Sequence, residues 1–433
     1  MSGVHDLTAG RLLARLSGAQ RDGRLPSVVG GMVRDGGLAW SGGVGAVPGD
    51  PTDTQYRIGS ITKTFTSVLV LQARADGLLS IDEPLSAYVP EAPFADRTLR
   101  SLLSHSSGLP GESEGPWWER SEGGDFAALV AANADVAAPR ANGQEFGYSN
   151  LAYGLLGEAV ARVRGESWWA LVKSRILAPL GLERTTYQAT APHAQGYSVS
   201  HLFNTLTPEP HSDTGAMAPA GQLWSTVADL ATYAGFVLAG HPDVLPLSTL
   251  SEASTTLQPE GNYGLGFRRV PGGSERLVGH TGTMPGFRAS FFCDRGRGTA
   301  FIGLSNGTIG QNSEALAVSM LDTLEACEPT VGLAWQPATD VPDEVRGLAG
   351  TWHWGETAFE ISWSGSELEM VEVRSGSAYE EFHRERRGWV GTDGSLLDVV
   401  RRPDGSVGHL HCETYLFTRT PYDPAAPVPG GVA

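Results

Sequence analysis

A serine followed three residues later by a lysine, Ser60 and Lys63, stands at the start of an apolar stretch of this chain. The stretch from Arg57 to Ala73 reads RIGSITKTFTSVLVLQA, and its apolar spacing predicts a mostly buried helix that begins near Ser60. Residues three apart share one face of a helix, so the lysine amine would lie within reach of the serine hydroxyl. Because a serine hydroxyl needs a neighbouring base to act as a nucleophile, the pair predicts a nucleophile and its base.

The rarity of lysine in the chain supports this interpretation. Lysine and arginine together number 31, and only two of them, Lys63 and Lys173, are lysines. A buried lysine can lose its proton, whereas an arginine effectively cannot. The alternative is a helix lysine whose amine reaches solvent, and the pair alone does not exclude it.

A second candidate motif is Tyr148-Ser-Asn150, just before an amphipathic helix. One interpretation makes Asn150 the N-cap of that helix and Tyr148 a hydrophobic staple. The other makes Tyr148 a proton shuttle whose anion Lys63 would stabilise, and Asn150 an amide that orients the lysine or binds substrate.

A third candidate motif, His280-Thr281-Gly282, stands at the end of a predicted strand in the segment LVGHTGTMPGF. A glycine there would let a substrate backbone approach the edge of a sheet closely. The His280 imidazole could donate a hydrogen bond to substrate or intermediate.

Taken together, the three motifs resemble those of the serine β-lactamase and penicillin-binding protein superfamily, and are most similar to its class C-like branch. The resemblance spans roughly Pro26 to Cys327. It implies that Ser60 is the acylated nucleophile, that Lys63 is its activating base, and that Tyr148 is a general base that later protonates the leaving group. It also implies an oxyanion hole made by the backbone N–H groups of Ser60 and Thr283.

One position departs from the penicillin-recognising pattern. Those members carry a lysine, which meets a substrate carboxylate, where this chain has His280. Histidine there is more similar to the esterases, D-amino-acid amidases and acyltransferases of the branch. The departure predicts a preference for substrates without a free carboxylate next to the scissile bond.

An acyl-enzyme on Ser60 leaves several functions open. Water would release the acyl group, which gives a hydrolase of a small ester or of an amide or peptide bond with a D-configured residue. A bound amine or alcohol would take the acyl group instead, which gives an acyltransferase or a stand-alone thioesterase-like cyclase of specialised metabolism. A true class C-like β-lactamase is a third alternative. A catalytically silent binding module is disfavoured, because Ser60, Lys63 and Tyr148 are all present.

Composition limits the partners of the protein. The formal net charge of -17 over 433 residues would repel nucleic acid and anionic membrane surfaces. A hydrophobic content of 41% and a charged content of 18% are typical of a soluble globular protein. We therefore expect a small-molecule or peptide-like substrate and no nucleic-acid or membrane partner; the oligomeric state is left open.

The N-terminal segment and the cysteines favour a cytoplasmic protein. Charged residues interrupt the first apolar stretch, so the sequence predicts neither a signal peptide nor a membrane span. These charged residues are Asp6, Arg11, Arg15 and Arg21. No disulfide framework is expected from the three cysteines, Cys293, Cys327 and Cys412.

The remaining histidines and the paired tryptophans are expected to be mainly structural. No metal or other cofactor is expected, because these histidines lack metal-ligand spacing: His193, His201, His211, His409 and His411. Trp117 and Trp118 either line a substrate pocket or pack in the core.

The arrangement of predicted elements indicates an α+β fold. Val28 to Gly45 reads as two strands joined by an Asp-Gly-Gly turn. Helical segments dominate from Ile81 to about Leu250, and four more strands follow between Asn262 and Gly307. Strands at both ends predict an antiparallel sheet flanked by helices, with an inserted helical lobe.

Four consecutive regions are predicted along the chain. Residues 1–327 would form the β-lactamase-like serine hydrolase domain, and the proline-rich, acidic segment 328–341 would be a linker. Short alternating strands in 342–420 predict a small all-β barrel or sandwich. Residues 421–433 are predicted to be a disordered tail.

Overall fold

The computed structural model describes residues 3–143, 145–255, 257, 262–274, 276–330, 341–365, 367–385, 388–391 and 394–421. The chain divides into two compact units, Met1–Val331 and Gly332–Ala433. Most of the predicted linker and nearly all of the predicted disordered tail lie outside the described residues. Within the described ranges, no helix has the length and apolar character needed to cross a membrane.

The first unit contains eleven α-helices and ten strands among its described residues. The helices are α1 Asp6–Gly23, α2 Thr62–Ala75, α3 Leu99–Leu103, α4 Phe126–Asn133, α5 Asn150–Arg164, α6 Trp168–Val172, α7 Ala178–Leu180, α8 Ala218–Gly221, α9 Val227–Ala239, α10 Leu247–Ser254 and α11 Ser313–Cys327. The strands are β1 Ser27–Arg34, β2 Gly37–Gly45, β3 Tyr56–Arg57, β4 Tyr197–Ser200, β5 Thr205–Pro208, β6 Trp224–Ser225, β7 Arg268–Pro271, β8 Arg276–Met284, β9 Phe287–Asp294 and β10 Thr299–Ser305.

Both ends of this unit contribute to one antiparallel sheet. Its strand order is β2-β1-β10-β9-β8-β7, and the N-terminal strand β1 pairs with the late strand β10 through Val28 and Ser305. Helices occupy the long segment between β2 and β7, with only short strands among them. The predicted α+β fold, with strands from both ends and an inserted helical lobe, is confirmed.

The sheet is covered on both faces, which explains the unbroken apolar runs in its central strands. All of β10 is buried. The neighbouring residues Phe291 and Phe292 of β9 point to opposite faces. Phe291 belongs to the main core with α2 and α9, and Phe292 packs with α1 and α11. Strands buried on both faces carry apolar residues at most positions.

Helix α2 lies inside the main core. Every residue from Thr62 to Ala73 is buried, and the Phe65 ring stacks on Tyr233 with centroids 4.2 Å apart. The predicted buried helix is therefore confirmed. Ser60 lies in a one-turn 3₁₀ helix, Gly59–Ile61, so the α-helix itself begins just after the predicted start.

Two glycines bring this turn into direct contact with strand β8. A Cβ atom at Gly282 would lie 1.8 Å from the Ile58 carbonyl oxygen, and one at Gly59 would lie 2.6 Å from the Thr283 nitrogen. Gly59 also has a φ of 52°, in the left-handed region that favours glycine. The two glycines therefore allow the Ser60 turn and β8 to lie backbone against backbone.

The second unit is a closed barrel of eight antiparallel strands in sequence order. The strands are β11 Gly350–Trp354, β12 Thr357–Trp363, β13 Glu367–Glu372, β14 Ala378–Glu385, β15 Gly388–Gly391, β16 Leu396–Arg401, β17 Val407–Cys412 and β18 Tyr415–Thr418, preceded by the short helix α12 Asp343–Arg346. Trp352, Leu368 and Phe417 are fully buried in its core. Of the two predicted all-β forms, the barrel is the one observed.

We predict that Gly282→Ala destabilises the first unit by about 2 kcal/mol, because the added methyl group collides with the Ile58 carbonyl. The matched control is Gly10→Ala in α1, where a Cβ meets nothing within 4 Å. That exposed helical change should stabilise the protein by up to about 1 kcal/mol. Chemical denaturation measures both. Equal unfolding free energies for the two variants would contradict the close packing.

Candidate active site

The Lys63 amine is completely buried and surrounded by oxygen atoms. Its side chain has no exposed surface. The Nζ atom lies 3.0 Å from Ser60 Oγ, 2.6 Å from Asn150 Oδ1 and 2.8 Å from the Ala220 carbonyl oxygen. The alternative of a lysine that reaches solvent is therefore wrong.

These three neighbours fix what the amine can do. An ammonium has three N–H donors, which match the three oxygens. A neutral amine has two N–H groups and one lone pair. Since the Asn150 and Ala220 oxygens can only accept, they take both N–H groups and leave the lone pair for the Ser60 hydroxyl. The geometry thus suits a base that removes the Ser60 proton.

The protonation state of Lys63 is balanced near neutrality. Burial lowers the pKa of Lys63 to about 7, and the carboxylates of Glu112 and Glu119 oppose only part of that shift. A large share of the amine is therefore unprotonated at neutral pH. Ser60 itself is partly exposed, so its hydroxyl can meet a substrate.

Tyr148 lies beside this pair, as predicted. Its ring centroid is 5.0 Å from Lys63 Nζ, and the buried His105 ring packs against it at 4.1 Å. Burial raises the pKa of the Tyr148 phenol, and a hydrogen bond with the Ser60 side chain offsets only part of that increase. The structure thus favours a protonated phenol here, and its role as a proton shuttle stays a prediction.

Asn150 is not the N-cap of its helix. The cap is Ser149, whose Oγ accepts from the Ala152 N–H at 3.1 Å, and α5 begins at Asn150. The Asn150 side chain is therefore free to turn toward Lys63 with its oxygen and toward Glu112 with its nitrogen, 2.8 Å from Glu112 Oε1. Of the two interpretations of this motif, the amide that orients the lysine fits the geometry.

His280 is buried within the protein, with only 1% of its surface exposed. Its Nδ1 lies 2.5 Å from the Thr281 carbonyl, which can only accept, so Nδ1 carries the proton. Its Nε2 accepts from the Tyr263 hydroxyl at 2.9 Å. Burial holds the pKa of His280 well below its usual value. Both ring nitrogens of His280 are thus engaged by protein groups, and its only N–H already donates to the Thr281 carbonyl. Donation from His280 to a substrate stays a prediction.

Thr281 and Thr283 open onto a cleft of about 400 Å³ that contains two arginines. Arg268 donates to Thr281 Oγ1 at 3.1 Å and pairs with Glu314. Arg288 Nε is buried without a hydrogen-bond partner among the described residues. The preference for carboxylate-free substrates was predicted from the absence of a cation at His280. Arg288, and Arg268 in its pair with Glu314, place cations beside the same strand, so His280 alone does not decide the charge of this cleft, and the preference stays a prediction.

The tandem tryptophans have different environments. Trp118 is 6% exposed and donates its Nε1–H to Glu112 Oε2 at 2.6 Å. Trp117 is 58% exposed and donates to Glu119 at 3.0 Å. Sequence patterns did not single out Glu112, Tyr263 or Arg268, because Glu112 and Tyr263 lie in loops, Arg268 lies on the edge strand β7, and none has a spacing relation to the three motifs.

Comparison with known families agrees with this fold and site. Residues 12–325 match the family described as Beta-lactamase, so the chain belongs to the β-lactamase family and, with it, to the serine β-lactamase and penicillin-binding protein superfamily. Residues 341–419 match a separate family described as a domain of unknown function, DUF7586.

Individual relatives include peptidases and amidases. The chain is 29% identical over 264 residues to Beta-lactamase-like protein 2 of Dictyostelium discoideum, covering 55% of this chain and 47% of that protein. It is 28% identical over 192 residues to the D-alanyl-D-alanine-carboxypeptidase/endopeptidase AmpH of Escherichia coli K12, covering 41% and 47%. The chain thus spans about half the length of the curated relatives it matches.

A solved relative covers more of the chain. The D-stereospecific amidohydrolase from Streptomyces sp. aligns with a TM-score of 0.60 and 28% identity over 75% of this chain and 99% of that one. Together with the family match, these relatives support a serine hydrolase.

We predict that Lys63→Arg is nearly as damaging as Lys63→Ala, although it keeps the positive charge, because arginine does not act as a base. Both should lose more than about 1.4 kcal/mol of transition-state stabilisation, or tenfold in kcat/KM, in ester hydrolysis. The matched control is Lys173→Arg, at the other lysine, which is exposed. If the Lys63→Arg variant were as active as the Lys173→Arg control, Lys63 would act through its positive charge and not as a base.

Proposed function

We propose that this protein is an acyl-enzyme hydrolase that cleaves an amide or peptide bond on the carbonyl side of a D-configured residue, and small esters by the same route. Ser60 attacks the carbonyl, Lys63 takes its proton, and Tyr148 passes a proton to the leaving group. Water then releases the acyl group.

One observation carries the proposal: the buried Lys63 Nζ lies 3.0 Å from Ser60 Oγ while two carbonyl-type oxygens hold its other positions. A lysine that served only the fold would gain nothing from a pKa lowered to about 7, since burying an amine is costly. A base for Ser60 needs that shift, because only the neutral amine accepts a proton.

The substrate class is drawn from relatives and from the cleft. The Streptomyces amidohydrolase is described as D-stereospecific, and AmpH as a D-alanyl-D-alanine carboxypeptidase and endopeptidase. In this chain, Arg268 and Arg288 line the cleft beside Thr281 and Thr283. Arg268 is already paired with Glu314, so the guanidinium of Arg288 is the group placed to bind a free carboxylate of the leaving group. We therefore include peptides with a free C-terminus among the substrates.

Acyl transfer would use the same intermediate. Adding an amine acceptor to the reaction and measuring how the acyl group divides between water and amine distinguishes the two outcomes. The hydrolase proposal expects the free acid as the main product when acceptor is present at millimolar concentration.

We predict that a fluorophosphonate adds once to the wild-type protein and not to Ser60→Ala, as measured by intact-protein mass spectrometry. The variant should remain folded, since a small residue in a short 3₁₀ turn costs little.

In a substrate panel, D-aminoacyl p-nitroanilides should exceed their L-enantiomers by at least about tenfold in kcat/KM, or about 1.4 kcal/mol.

Two results would overturn parts of this assignment. An adduct retained by Ser60→Ala would place the nucleophile elsewhere. Nitrocefin hydrolysis faster than every amide and ester by about tenfold would restore the β-lactamase alternative.

A further inference from the structure

Glu112 is joined to Lys63 through the side chain of Asn150. Asn150 Nδ2 donates to Glu112 Oε1 at 2.8 Å, and Asn150 Oδ1 accepts from Lys63 Nζ at 2.6 Å. The second Glu112 oxygen accepts from the Trp118 indole at 2.6 Å. Each donor and acceptor in this chain of bonds is assigned by chemistry, because a carboxylate only accepts and an indole N–H only donates.

The contact has one stable amide orientation. If the Asn150 amide turned over, its oxygen would face the Glu112 carboxylate, so that two acceptors would meet. Its NH₂ group would at the same time face the Lys63 amine. Because Asn150 and Lys63 are buried, such mismatches are costly. Glu112 thus selects the orientation in which the amide oxygen points at Lys63.

That orientation decides where the Lys63 lone pair points. With the oxygen facing Nζ, Asn150 and Ala220 accept both N–H groups of the neutral amine, and the lone pair is left for Ser60. With the NH₂ group facing Nζ, Asn150 would donate to the lone pair and compete with the Ser60 hydroxyl. The base would then be occupied.

The backbone holds Glu112 in register with Asn150. The Asn150 N–H donates to the Gly111 carbonyl at 2.6 Å, and Ser149 Oγ donates to the Pro110 carbonyl at 2.6 Å. The loop that carries Glu112 is therefore fastened to the first residues of α5 at two points. These bonds keep the backbone of Glu112 next to Asn150, and its carboxylate accepts from the Asn150 amide and the Trp118 indole.

We propose that Glu112 is a positioning residue that fixes the amide orientation of Asn150 and thereby directs the lone pair of Lys63 at Ser60. This inference rests on the proposed function, in which Lys63 is the base. It assigns to Glu112 a role that requires no contact with substrate.

The test compares Glu112→Gln, Glu112→Ala and the loop control Glu114→Gln. Glutamine can still present an oxygen to Asn150, whereas alanine cannot. Under single-turnover conditions above neutral pH, acylation by p-nitrophenyl acetate should stay within about threefold of wild type in Glu112→Gln and fall by about tenfold or more in Glu112→Ala. Glu114→Gln removes the same charge from an exposed neighbour and should match wild type.

A second readout needs no activity. With lysine labelled isotopically at Cε, only two side chains, Lys63 and Lys173, give NMR signals to titrate. Loss of the Glu112 charge should lower the pKa of Lys63 in both variants. It should fall further in Glu112→Ala, because a turned amide donates to the neutral amine and favours it.

The two readouts separate the inference from the proposed function. A wild-type protein that is not acylated contradicts the function, and the titration still decides the role of Glu112. Equal Lys63 pKa values in Glu112→Gln and Glu112→Ala, or equal acylation rates in the two, would overturn the positioning role and leave Glu112 as a nearby charge.

Discussion

The site depends on one constraint: a lysine amine without solvent contact must satisfy its hydrogen bonds inside the protein. Desolvation disfavours the ammonium and lowers the pKa of Lys63 to about 7, and the carboxylates of Glu112 and Glu119 oppose only part of that shift. Three oxygen atoms lie within hydrogen-bond distance of the amine. Because the acceptors from Asn150 and Ala220 cannot donate, the neutral form has one place for its lone pair. Burial makes the neutral amine available and the acceptor geometry directs its lone pair at Ser60, which suits the proposed role of a base.

The fold meets this constraint with close backbone contacts. Gly59 and Gly282 let the turn that carries Ser60 lie directly against β8, which presents Thr281 and Thr283 beside it. The Ser149 cap leaves the Asn150 side chain free for Lys63. Helix α2 is enclosed by the core, and the Lys63 side chain has no exposed surface. The barrel unit comes later in the chain and has its own hydrophobic core.

Sequence patterns identified the elements and the three motifs, and failed where the geometry depends on tertiary contacts. The Ser60 and Lys63 spacing is local, so a helical pattern was enough to predict their contact. The partners of His280 and Thr281 were not foreseeable, since Tyr263 reaches His280 from a loop and Arg268 reaches Thr281 from the edge strand. Glu112 lies in a loop without periodicity, and only the backbone bonds from α5 bring it to Asn150. The predicted preference for substrates without a carboxylate was based on His280 alone. The charge of the cleft also depends on Arg268, Arg288 and Glu314, which lie on other elements.

The pH dependence of fluorophosphonate labelling tests the central claim most directly. If the neutral Lys63 amine activates Ser60, the second-order labelling rate should rise roughly tenfold per pH unit from about pH 5 and level off just above about pH 7. Ser60→Ala should show no labelling at any pH. A rate that is constant over this range, or one that continues to rise toward about pH 10 as for an ordinary lysine, would contradict the account.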